Sequence, residues 1–139
     1  MALLFSNVLA QPQPVWIAFA YYDPSCGAAN QNFRKLGWWQ IDPYQTLNLW
    51  NVDLQTVNRY AYFWGATANE GVTWHGTGNA WLRLNPNSAF NQCAFDNTND
   101  AQSVDFVELD FTWAQPGWDL LVLLGPNPGQ VNYASQKVG

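Results

Sequence analysis

At 139 residues the chain is one domain in length and can bury a core without a structural metal. Its net charge of -5, with only five basic residues, excludes a phosphate-tracking stripe and argues against nucleic acid and anionic membranes as partners. Charged residues make up 11% of the chain, against roughly 25% in an ordinary domain, while aromatics reach 17% with nine Trp, so amides carry the polar surface and neutral ligands or other protein are the fitting partners.

Helical periodicity is nearly absent. Short aromatic and β-branched runs alternate with Gly, Pro, Asn and Asp, the pattern of an antiparallel sandwich or flattened barrel of about eight to ten strands. The first clear strand is Val15 to Tyr22, with Val15, Ile17, Phe19 and Tyr21 on one face and Trp16, Ala18, Ala20 and Tyr22 on the other. Both faces are apolar, so the pattern predicts a central strand. Asp23-Pro24 ends it, and a polar connection leads to Gly37-Trp38-Trp39, a strand with one large ring on each face.

Thr46 to Val52, Arg59 to Trp64, Val72 to His75, Ala80 to Leu84 and Ala89 to Phe95 follow, parted by turn residues such as Gly76-Thr77-Gly78-Asn79. The run 96–102 reads as a polar loop. Val104 to Trp113 alternates best, with Val107, Leu109, Phe111 and Trp113 inward and Phe106, Glu108, Asp110 and Thr112 outward. Trp118 to Leu124 reads as a buried strand. The expected organisation is a sandwich domain over 1–124 and an aperiodic Pro/Gly tail over 125–139, a candidate assembly arm.

Trp38-x-x-Ile41-Asp42-Pro43 is similar to Trp81-x-x-Leu84-Asn85-Pro86, which shared turn chemistry explains as well as duplication does. Cys26 and Cys93 can pair or sit as two separate buried thiols, the ordinary fate of such residues. The first residues lack a basic region and a long apolar run, and no stretch approaches the roughly 18 apolar residues of a spanning helix. The expectation is a soluble chain, cytoplasmic or exported by a signal-independent route.

Phe5-x-Asn7, Trp16 to Tyr22, Gly37-Trp38-Trp39-x-x-x-Pro43, Tyr60-x-Tyr62 and Trp74-x-Gly76 stand in an order that resembles the bacterial domain-of-unknown-function family 1036. The likeness spans roughly residues 5 to 111, and Gly-Trp-Trp-(x)3-Pro is its most specific part. It implies a small β-rich fold and exported, disulfide-bearing relatives, some labelled as membrane proteins. Ser6 and Thr46 stand where that family has cysteines, and Tyr44 where it has glycine. The family supplies no activity.

His75 is the only histidine, and no Gly-x-Ser-x-Gly elbow accompanies it. Glu108 and Asp110 share a strand face about 7 Å apart by strand rise, a spacing that glycosidases use but that solvated strands also show. Asp96 and Asp100 bracket an oxygen-rich loop, a weak calcium candidate without the glycine and glutamate of an EF-hand. No cofactor and no enzymatic activity is expected.

The remaining signal is aromatic. Trp38, Trp39 and Trp74 read as core, whereas Trp16, Trp50, Tyr62, Trp64, Trp81, Trp113, Trp118 and Tyr133 are binding or interface candidates. The leading expectation is a structural protein that self-associates into a homo-oligomer. The alternative is a binding module, either lectin-like for neutral glycans or a surface- or lipid-binding toxin component.

Overall fold

The computed structural model describes residues 2–50, 58–96 and 102–137. They form an all-β sandwich with twelve strands, and no sheet closes into a barrel. The first sheet runs β12-β11-β1-β4, from β1 (Leu3–Asn7), β4 (Thr46–Trp50), β11 (Asp119–Leu124) and β12 (Val131–Gln136). The second runs β10-β5-β2-β3-β8, from β2 (Val15–Tyr22), β3 (Phe33–Ile41), β5 (Tyr60–Ala66), β8 (Phe90–Cys93) and β10 (Val107–Asp110), and β6 (Thr73–Trp74) pairs with β5. A separate ribbon joins β7 (Trp81–Leu84) to β9 (Gln102–Asp105).

β2 lies between β5 and β3. Its two apolar faces serve two cores. Ile17 and Phe19 meet Phe5, Phe63, Leu109 and Val122 between the sheets, while Ala18 and Ala20 face Trp64, Leu84, Val104 and Phe106 under the ribbon. Phe5 and Phe63 cross edge to face at 5.1 Å, which ties the two sheets together.

The phase of β3 changes at Trp38. Ile17 pairs with Trp39 but Ala18 pairs with Gly37, so Trp38 is the extra residue of a bulge. The Gly37-Trp38 peptide bond is cis. Upstream, Phe33 and Lys35 face the ribbon. Because of the extra residue, Trp39 packs against the inter-sheet core while Trp38 stays with Phe33 on the ribbon side. Gly37 has no Cβ because the Phe90 ring occupies that space: a Cβ there would lie 2.5 Å from Phe90 Cε1.

Several expectations are corrected. A strand precedes the first clear one read from the sequence: β1 lies inside the first sheet, parallel to β11 and antiparallel to β4. Ser6 and Asn7 interrupt its apolar pattern yet are buried, because Ser6 Oγ and Thr46 Oγ1 share a hydrogen bond at 2.5 Å and Asn7 Nδ2 donates to Gln13 O and Ile41 O. The expected aperiodic tail contains β12, which pairs along all of β11; Pro126, Pro128 and Gly129 belong to the hairpin turn before it. Val104 to Trp113 is not one strand. It breaks at Phe106, which turns into the ribbon core, and it ends in a 3-10 turn at Phe111–Trp113 that leaves Trp113 47% exposed and Asp110 buried. The predicted strand end at Val52 lies outside the described residues.

Cys26 and Cys93 are bonded to each other, with Cα atoms 5.4 Å apart, and are not separate thiols. The sheet brings them together. Tyr22 pairs with Phe33 at the end of β2, and Arg34 pairs with Cys93 one residue further on. Beside the disulfide, Arg34 Nε reaches Asp23 Oδ2 at 2.7 Å. Lys35 is fully buried, donating from Nζ to Arg83 O at 2.6 Å and Asp96 O at 3.0 Å. Burial pushes its ammonium below the ordinary lysine range.

Candidate functional site: a tryptophan cleft

On the ribbon side of the second sheet, the outward positions of three neighbouring strands carry indoles. Trp16 comes from β2, Trp38 from the bulge in β3, and Trp64 from β5. They line a cleft of about 700 Å³, a size typical of small-ligand sites. Trp64 is 5% exposed and sits in the floor; Trp16 and Trp38 are half-buried. Trp38 stands edge-on to Trp64 at 5.9 Å and to Phe90 at 5.7 Å. Its Nε1 donates to Asn85 O at 3.0 Å, so the ring is held from both ends.

Two turns make the walls. In the first, Thr67 Oγ1 accepts from Val72 N at 2.9 Å and Thr67 O accepts from Glu70 N at 3.0 Å. Asn69 and Glu70 both have left-handed backbones, φ 56° and 55°, uncommon for residues with a Cβ and concentrated at binding sites. The second turn, Pro86 to Ala89, follows Asn85, whose Oδ1 accepts from Asn87 N at 2.9 Å. Gln102 completes the lining, and its Nε2 donates to Glu70 Oε1 at 3.0 Å. Among the described residues Glu70 is the only charged one in the lining, and neither Lys nor Arg takes part.

The sequence candidates divide accordingly. Trp16 and Trp64 are in the cleft. Trp38, read as core, lines it too. Trp50 packs into the inter-sheet core against Phe19, Tyr21 and Phe111. Tyr62 meets Phe33 edge to face at 5.6 Å in the ribbon core, and burial raises its phenol. Trp81 is 57% exposed on the ribbon. Trp113 lies against Tyr133 at 4.4 Å beside β12, and burial pushes the Tyr133 phenol up to about 12. Trp118 is half-buried just before β11.

Asp96 is exposed at its side chain and serves Lys35 through its carbonyl, while Asp100 lies outside the described residues. No group of three His, Cys, Asp or Glu among the described residues is placed to hold a metal. Of the two carboxylates weighed for catalysis, Asp110 has a structural duty, as has nearby Asp105. Asp105 accepts from Gly78 N and from Ala80 N, and Asp110 accepts from Arg59 at 2.8 Å and caps the Phe111 turn through Thr112. Glu108 is exposed. His75, also exposed, is in contact through Nδ1 with the neighbouring Gly76 carbonyl.

No protein-family model matches this chain, and no curated protein or solved structure matches it. No helix among the described residues is long and apolar enough to cross a membrane. The functional reading therefore rests on the cleft. Sequence reasoning missed its walls, Asn69, Glu70, Asn87 and Gln102. For the first three the signal available was their place in two polar turns; Gln102, at the start of β9, carried none.

Proposed function

We propose that the domain is a non-enzymatic binding module that takes neutral saccharides in the Trp16–Trp38–Trp64 cleft. One observation carries the reading: among the described residues, three indoles, two turns rich in amide and hydroxyl groups, and a single charge, Glu70, line one cavity. Sugar rings offer apolar C–H faces to flat aromatics and a rim of hydroxyls to amides, which both donate and accept. Phosphate-bearing headgroups want Arg or Lys, and the lining has neither. The likeness to family 1036 contributes no activity to this proposal.

A glycan array read alongside phosphatidylcholine vesicles tests it. Wild-type protein is expected to retain neutral glycans, with loss on Trp16→Ala. Uniform silence across the array, or retention by vesicles alone, removes the proposal. Self-association is the second reading, favoured by the half-exposed Trp113 lying on Tyr133 beside β12, an outer strand of its sheet. Sedimentation that shows only a 15.7 kDa species at micromolar concentration removes that reading.

A further inference from the structure

A second cleft, of about 430 Å³, lies on the other side of the Glu70–Gln102 hydrogen bond. It shares Trp64, Glu70 and Gln102 with the first, and it adds Trp81 and His75. One pair of surface side chains therefore separates two cavities that share an indole. Trp81 then reaches onward, since it also lines a cavity of about 170 Å³ with Tyr62 and Phe33.

Trp81 has no part in either core, and at 57% exposure it is the most exposed indole among the described residues. An indole presented this way offers a flat face on which a sugar ring can stack. It is also firmly placed. β7 buries Leu82 and Leu84 on one face, which forces Trp81 and Arg83 to the other. Just upstream, Asp105 pins the backbone through Gly78 N and Ala80 N, and Gly76 N donates to Asp105 O at 2.9 Å. At Gly76 a Cβ would collide with the Phe106 carbonyl, so the loop lies close against the strand that anchors it. The result is a rigid aromatic platform beyond the first cleft.

We infer that the ligand is a linear, neutral saccharide chain that runs from the Trp16–Trp38–Trp64 cleft past the Glu70–Gln102 pair and onto Trp81. The inference rests on the saccharide reading above. Charge selects among polymers: among the described residues the ionisable groups in the two clefts are Glu70, Asp105 and His75, and no Lys or Arg lines either. Polyanionic chains such as uronates meet two carboxylates and no cation. A neutral chain meets indoles in series and amides between them.

The test is calorimetric titration with disaccharides and hexasaccharides of four neutral series: β-1,4-glucose, β-1,3-glucose, α-1,4-glucose and β-1,4-N-acetylglucosamine. For the series that binds, the hexamer is expected to bind more than about tenfold tighter than the dimer, since one further stacking platform is worth a factor of this order. Trp81→Ala, at a position outside both cores, should fold with an unchanged melting temperature. It should reduce that ratio to the few-fold advantage of sliding registers. A ratio that Trp81→Ala leaves unchanged overturns the extended path while the first cleft stands. Tighter binding of an oligogalacturonate than of every neutral hexamer overturns the charge argument. Silence from all four series overturns the saccharide reading itself.

Discussion

Replacing both Cys26 and Cys93 by Ala should destabilise the domain by about 4 kcal/mol. The disulfide spans 67 residues of sequence, and the chain-entropy relation for a loop of that length gives about 4.4 kcal/mol at 25 °C. A chain of 139 residues unfolds with an entropy near 0.3 kcal/mol/K, so the loss corresponds to a melting temperature lower by roughly 15 °C. The effect should also have a location. Cys93 ends β8, the edge strand that pairs with β3, and the cleft wall at Pro86 to Ala89 leads directly into it. Urea denaturation of the oxidised wild type and the double variant measures the total, and amide hydrogen exchange shows where protection falls. A loss under about 1 kcal/mol refutes the chain-entropy reasoning. Exchange that rises across the β11–β12 hairpin and not across β8 refutes the assignment of the effect to this edge.

Lys35→Met should remove a pH dependence. The unfolded lysine titrates near 10.5 and the buried one lower, so between the two the unfolded chain holds a proton that the folded chain has released, and wild-type stability rises with pH. From pH 7 to 10 the urea midpoint of wild type should climb relative to that of the variant; parallel profiles contradict this. Asp110 works with the opposite sign. Arg59 beside it holds its carboxyl at about 2, against 3.8 when unfolded, so its contribution is full above pH 3.8 and is lost as pH falls through 2. Arg59 is largely exposed, which screens the pair. The stability curves of wild type and Asp110→Asn should therefore converge between pH 4 and pH 2, and a constant offset there counts against the pairing. Gly37→Ala places a Cβ 2.5 Å from Phe90 Cε1 and should cost about 1–3 kcal/mol by overpacking, read from urea midpoints; an unchanged midpoint means the ring yields freely.

The all-β class was legible because side-chain alternation survives wherever one face is buried. β2 shows this well, since its two apolar faces signalled a central position. Legibility fails where polar residues are buried in pairs. Ser6 and Asn7 look like the end of an apolar run, but Thr46 and Ile41, far along the chain, satisfy them together with the nearer Gln13. It fails again where a break falls inside good alternation. Phe106 and Asp110 read as solvent-facing because Val104 to Trp113 looked like one strand, and nothing local marks the kink that turns Phe106 inward. β12 was hidden by the Pro and Gly of its own hairpin turn. The disulfide needed the β2–β3–β8 registers, which no local pattern encodes.

The cleft was legible only as a surplus of tryptophan. Its lining comes from residues 16, 38, 64, 66–70, 86–89 and 102, so no window of sequence contains it. The bulge matters most: Trp38 sits on the cleft side only because β3 gains one residue relative to β2. Adjacent Trp38 and Trp39 looked like a scaffold pair. In the folded chain Trp39 packs against the core while Trp38 helps build the site.

The indole N–H resonances of nitrogen-15-labelled protein, titrated with the four neutral hexasaccharides, test the central claim most directly. Trp74 is an internal reference, being 1% exposed with its Nε1 bonded to Gln130 O at 2.9 Å. Saturable shifts at Trp16, Trp38 and Trp64, with Trp74 and Trp50 unmoved, are the predicted result. No saturable shift with any of the four sugars, or shifts at Trp113 with none in the cleft, would contradict the account.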